Sequence, residues 1–183
     1  MNALNYLFSI VIDLYLMLVI LRIWLQASGA DFYNPLSQFT VKATQPIIAP
    51  MRRVLPSLGR IDTASVLLAL TVSCSKWIIL MLMQSGQVDI LSTLILGTLG
   101  CIKEAGSLLF WMLIIRALLS WVSQGYNPIE MVLSQLTEPF MAPIRRVIPA
   151  LGGLDLTPMI VIIALNFINI FMGDLLGTLW TIA

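Results

Sequence analysis

The sequence predicts an all-α integral membrane fold: two parallel repeats of helix, interfacial amphipathic segment and helix, with about four transmembrane helices. Three observations predict it. The 183 residues are 59% hydrophobic and only 10% charged, with a mean hydropathy of +0.96. Soluble domains are roughly 45–50% apolar and about 25% charged, so this chain has too few charges to cover a water-facing surface. Disorder is excluded as well, because disordered chains are polar and charged. The second observation is a series of apolar stretches close to the ~20 residues that cross a bilayer. The third is an internal repeat.

Residues 4–25 supply the first span, interrupted by Asp13 and Arg22. Residues 63–83 supply the second, with Lys76 inside, and residues 156–180 the last, with Asn166, Asn169 and Asp174. Between them, residues 88–122 are nearly all apolar apart from Lys103, Glu104 and Arg116. That length is too great for one span and short for two. Short loops rich in Lys and Arg stay cytoplasmic. Residues 26–61 hold Lys42, Arg52, Arg53 and Arg60, and residues 123–154 hold Arg145 and Arg146. Residues 84–89 and both extreme termini hold no basic residue. Both basic loops lie inside only if 88–122 crosses once, which assigns the crossing to 103–122. Residues 88–102 then form a hydrophobic lead-in at the outer interface, or enter and return; a fifth span is the alternative. Both termini are expected outside. Residues 1–12 carry no positive charge, so the first stretch reads as a retained span rather than a signal peptide.

Residues 34–62 read NPLSQFTVKATQPIIAPMRRVLPSLGRID, and residues 127–155 read NPIEMVLSQLTEPFMAPIRRVIPALGGLD. They align without a gap at an offset of 93, with 13 of 29 positions identical. Arg22 corresponds to Arg116 after a one-residue gap. The chain divides into a first repeat (1–87), the lead-in (88–102) and a second repeat (103–183), both copies running the same way through the membrane. Within each copy, Asn34-Pro35 and Asn127-Pro128 read as an N-cap followed by Pro at the first helical position. Ile129, Val132, Leu133 and Leu136 then mark one face of an amphipathic helix of about ten residues, suited to the headgroup plane. Pro46 and Pro139 are expected to stop these helices. Pro50, Pro56, Pro143 and Pro149 hold a compact connection, and Asp62 and Asp155 are placed to cap the next span.

Arg52-Arg53 and Arg145-Arg146 sit in a duplicated Pro-x-Arg-Arg-Val-x-Pro frame. They read as contacts to anionic phospholipid headgroups or to an acidic partner, against plain positive-inside topology as the alternative. Adjacent arginines point about 100° apart on a helix, so one faces phosphate while the other pairs inward with Asp62 or Asp155. Asp13 and Lys76 fall at similar depths and are expected to pair across their helices. Their counterparts at offsets of 94 and 93, Ser107 and Asn169, are both uncharged. An ion or proton pathway, or Lys76 snorkelling alone, are the other readings of these charges. Arg22 and Arg116 are expected to snorkel to the inner interface. Gly173 and Gly177 form a GxxxG, a signal for close helix packing or a homo-oligomer.

Chemistry is narrowed by what is missing. The chain has no histidine, and Cys74 and Cys101 are not in a CxxC arrangement. No catalytic residue, metal ligand or cofactor is expected, and no nucleic acid; the cysteines read as buried thiols.

The repeated pattern Asn-Pro, Thr-x-Pro-x-x-Ala-Pro-x-Arg-Arg-Val-x-Pro-x-Leu-Gly-x-x-Asp resembles the YggT family of small bacterial inner-membrane proteins, in its two-copy, proteobacterial form. The residues carrying the resemblance are Asn34, Pro35, Pro46, Pro50, Arg52, Arg53, Pro56 and Asp62. Their counterparts are Asn127, Pro128, Pro139, Pro143, Arg145, Arg146, Pro149 and Asp155. The resemblance implies a non-enzymatic, multi-pass inner-membrane protein with links to osmotic tolerance, potassium homeostasis and membrane-complex assembly. The expected function is a scaffold, assembly or osmotic homeostasis factor whose basic segments contact the phospholipid bilayer or a membrane-protein partner. The alternative is a small oligomeric cation channel or modulator of potassium transport.

Overall fold

A computed structural model describes residues 3–30, 33–57, 59, 61–122, 127–148 and 156–183. Pro149 and Asp155 lie outside the described residues. The elements are α1 (Ala3–Ala27), α2 (Pro35–Met51), α3 (Thr63–Ser85), α4 (Ile90–Val122), α5 (Pro128–Val147), α6 (Thr157–Leu176) and α7 (Thr178–Ile182). Four helices among the described residues are long and apolar enough to cross a membrane: Ala3–Ala27, Thr63–Gln84, Ile90–Leu119 and Thr157–Leu176. Helix α1 packs along α3, α3 along α4, α2 against α1, and α5 against α4 and α6.

The core lies where these helices converge. Leu16, Val19 and Leu25 of α1 meet Ile48 of α2, Ala64 and Leu68 of α3, Leu109 and Leu113 of α4, and Leu133, Leu136 and Met141 of α5. The expected apolar face of α5 is therefore used inside the protein: Val132, Leu133 and Leu136 are buried, and only Ile129 of that stripe is exposed. The equivalent face of α2 is polar. Ser37, Thr40 and Thr44 are all fully buried, with Ile48 below them.

Three sequence expectations change. Pro46 and Pro139 do not end their helices; α2 runs on to Met51 and α5 to Val147, with Pro46, Pro50, Pro139 and Pro143 inside. All four prolines are on the exposed side. A helix wrapped on a core stretches its outward hydrogen bonds first, so the bonds that proline removes are the cheapest to lose there.

Residues 90–102 do not form a separate or returning segment but continue into 103–122 as the single 33-residue helix α4. No proline interrupts it, and its glycines let it approach α3. A Cβ on Gly97 would collide with Cys74, and one on Gly100 would lie 2.9 Å from Ser73 Oγ. At about 1.5 Å per residue, the 33 residues of α4 are ~50 Å long against a ~30 Å hydrocarbon core.

The last helix stops at Leu176 rather than continuing to Trp180, because Gly177 has φ +58° and turns the chain into α7. Trp180 folds back over Gly173, and its Nε1 donates to Asn169 Oδ1 at 2.9 Å. The Gly173–Gly177 pair thus sits at a turn within the chain, with Trp180 against Gly173.

Candidate functional site

The basic segments at the ends of α2 and α5 begin alike and differ at their far ends. Asn34 and Asn127 cap the two helices by accepting from the Leu36 and Ile129 amides at 2.9 and 3.0 Å. Asn34 Nδ2 also donates to the Pro128 carbonyl at 2.5 Å, tying the start of α2 to the start of α5. At the far end, Arg52 turns inward. Its Nε and Nη2 donate to Asp62 Oδ2 at 3.1 and 2.7 Å, and Nη2 also reaches Gln26 Oε1 at 3.2 Å. Pro56 contributes its carbonyl, which accepts from Thr63 Oγ1 at 2.7 Å.

Asp62 stands at the N-cap position of α3, but its side chain does not cap the helix amides. It accepts from Arg52 and from Ser65 Oγ instead. Burial pushes its carboxyl up; the hydrogen bonds from Arg52 and Ser65 and the charges of Arg52 and Arg22 outweigh that and hold it below the ordinary carboxylate value.

In the second segment Arg145 pairs along its own helix, donating to Glu138 Oε1 at 2.7 Å with both side chains partly exposed. Arg53 and Arg146 are exposed. Each is followed by a valine that is also bare, Val54 at 81% and Val147 at 79% exposure.

Arg22 and Arg116 do not snorkel. Arg22 is only 3% exposed. Its Nη1 donates to Thr44 Oγ1 at 2.7 Å and its Nη2 to Gln45 Oε1 at 2.6 Å, so it clamps α2 from α1. Arg116 does the same to α5, donating to Thr137 Oγ1 at 2.5 Å and pairing with Glu138 Oε2 at 3.6 Å. Thr44, Gln45, Thr137 and Glu138 carry the clamp, and sequence reasoning passed over them. The signal was present: each Thr-Gln or Thr-Glu pair directly precedes the first internal proline of its helix.

Asp13 and Lys76 meet as their depths suggested. Lys76 Nζ lies 2.8 and 3.0 Å from the two Asp13 carboxylate oxygens and 5.7 Å from the Trp77 ring centroid. The pair lines a cavity of about 570 Å³ that also takes Lys103, Glu104 and Ser107 from α4, Asn166 and Asn169 from α6, and Trp180 from α7. The counterpart positions Ser107 and Asn169 therefore face the same space as the ion pair. Asp174 is not among the residues lining it. Cys74 and Cys101 are free thiols.

The family model described as CCB3/YggT matches residues 1–83 and 95–176. The chain is similar to a protein of Vibrio alginolyticus described as an uncharacterized protein in the proC 3' region, 58% identical over 98% of both chains. It is similar to YggT of Escherichia coli K12, 50% identical over 96% of this chain and 92% of that one. A shorter match, 38% identical over 30% of this chain and 22% of the other, is to the chloroplastic YlmG homolog protein 2 of Arabidopsis thaliana. No solved structure matches.

Proposed function

The chain belongs to the CCB3/YggT family, and on that premise we propose that it is a non-enzymatic scaffold or assembly factor of the bacterial inner membrane. In this reading both termini are periplasmic, and the chain is two parallel copies of one helix–segment–helix unit. The Pro-x-Arg-Arg-Val-x-Pro segments face the cytoplasmic leaflet and contact anionic phospholipid. The observation that carries the reading is the split within each arginine pair. Arg52 and Arg145 are held by carboxylates, while Arg53 and Arg146 stand exposed next to bare Val54 and Val147. A cation beside a small apolar side chain suits the headgroup boundary, where the charge meets phosphate and the valine meets acyl chain.

The test is lipid co-purification in native nanodiscs, wild type against Arg53→Gln/Arg146→Gln at equal abundance. Anionic lipid enriched around the wild type and lost from the variant supports the reading; equal lipid profiles sink it. Osmotic homeostasis would be one physiological setting for such a factor. The reading as a cation channel has the polar cavity at Asp13 and Lys76 in its favour. Potassium or sodium flux through purified protein in liposomes tests that one.

A further inference from the structure

Among the described residues, Glu104 is the ionisable side chain in the cavity that no hydrogen bond or ion pair holds. Asp13 is taken by Lys76. Lys103 donates to the Trp180 carbonyl at 3.0 Å and the Thr181 carbonyl at 3.5 Å. Glu104 makes no hydrogen bond or ion pair among the described residues, although it lies inside a membrane-spanning helix and lines the cavity wall. Ser107, three residues further along α4, also lines that wall, with Asn166 opposite on α6. Asn166 Nδ2 is used on its own helix, donating to the Ile162 carbonyl at 3.0 Å, which leaves its amide oxygen without a partner there. A carboxylate, a hydroxyl and an amide oxygen are hard oxygen donors suited to a small cation. A bare carboxylate at membrane depth is costly until a positive charge neutralises it.

We propose that Glu104, with Ser107 and Asn166, forms an intramembrane site that holds and exchanges one small monovalent cation, a proton or an alkali-metal ion. The exchange balances simply: the protonated carboxyl takes up the metal ion and releases its proton to the cavity. The other charged side chains facing the space are Asp13 from α1, Lys76 from α3 and Lys103 from α4, one positive charge in sum, which an ionised Glu104 balances. From α6 come only the amides of Asn166 and Asn169, and from the chain end Trp180 and Ala183. A divalent ion would find too little negative charge here. A cation held at Glu104 need not cross the membrane, so this inference stands apart from both the lipid-contact and the channel readings.

Dicyclohexylcarbodiimide tests it on the full chain in liposomes. The reagent takes the proton of a protonated carboxyl on its nitrogen, and the carboxylate oxygen adds to its central carbon. The adduct rearranges to a stable acylurea that keeps every atom of the reagent and is found by peptide mass mapping. The expected result is labelling of Glu104 that falls by roughly tenfold per pH unit above its pKa. Glu104→Gln should lose the label and Glu104→Asp should keep it. Protection by sodium or potassium chloride, relative to N-methylglucamine chloride at equal ionic strength, identifies a metal ion; undiminished labelling identifies the proton alone. Glu104 left unlabelled between about pH 5.5 and 8.5, or labelled no more than Glu130 and Glu138 of α5, would overturn the proposal. Should Glu104→Gln fail to fold, the wild-type map and Glu104→Asp decide by themselves.

Discussion

Arg22 and Arg116 fasten equivalent-looking helices in different electrostatic terms. Arg22 is sealed from solvent, and its acceptors on α2, the Thr44 and Gln45 side chains and the Val41 carbonyl, are all neutral. Arg116 keeps 18% of its side chain exposed and has a carboxylate, Glu138, in place of the amide. That carboxylate also serves Arg145, whereas in the first segment Arg52 finds its carboxylate, Asp62, at the start of the next helix. The difference teaches where each clamp is vulnerable. The α1–α2 clamp depends on neutral partners that water cannot replace. The α4–α5 clamp depends on one shared charge near the surface.

Removing the neutral partners should therefore produce the largest effect. Thr44→Val/Gln45→Leu strands a buried guanidinium and is expected to cost about 3–5 kcal/mol. Thr137→Val/Glu138→Leu leaves Arg116 able to reach solvent and should cost about 1–2 kcal/mol. Thermal unfolding in detergent, followed by tryptophan fluorescence, compares the two. Equal losses would mean that burial does not distinguish the clamps.

The next effect is read against pH. Asp62→Asn removes the ion pair to Arg52 and should cost about 1.5–3 kcal/mol at neutral pH. Because the folded-state carboxyl of Asp62 is held below its ordinary value, its contribution is fully present above the unfolded pKa of about 3.9. It is lost as pH falls through the lowered folded value. The gap in melting temperature between wild type and Asp62→Asn should hold from neutral pH to about 5, then close as pH drops below about 4. A gap that stays constant to acid pH would show that Asp62 acts through shape rather than charge.

How much of this was legible in the sequence depends on what each residue shows by itself. Asp13 and Lys76 were readable because a charge inside an apolar run demands a partner, and depth along two helices limits the choice. The pairing of Arg52 with Asp62 follows from helical geometry, whereas Arg145 pairs along its own helix with Glu138. The buried face of α2 was not legible. Ser37, Thr40 and Thr44 look like a polar face to any hydrophobic count, yet Thr40 and Thr44 return their hydroxyls to the Leu36 and Thr40 carbonyls, and so tolerate burial. Proline misled in the same way. Pro46 and Pro139 are breakers by intrinsic preference, and only tertiary packing tells which side of the helix their rings occupy. The turn at the GxxxG was not legible either: Gly177 has φ +58° and ends α6 there.

Smaller effects separate the helix starts. Asn127→Ala loses one capping bond and should cost about 1 kcal/mol. Asn34→Ala loses the same bond and also the link to the Pro128 carbonyl, so it should cost about 1 kcal/mol more. If the two variants melt together, the tie between α2 and α5 contributes nothing.

The smallest expected change is also the closest test of the comparison. Glu138→Gln converts the acceptor of the second clamp into the one found at Gln45, keeping shape and removing charge. Both arginines it serves are partly exposed, Arg116 at 18% and Arg145 at 36%, and Glu138 itself is 41% exposed. Ion pairs in such surroundings contribute about 0.2–1 kcal/mol, and salt screens them. The variant should therefore melt slightly below wild type at low ionic strength and merge with it in high salt. Gln45→Glu should not mirror it, because a carboxylate beside sealed Arg22 gains an ion pair that salt reaches poorly. If both substitutions respond to salt alike, the two clamps are electrostatically equivalent, and the asymmetry between them lies in packing alone.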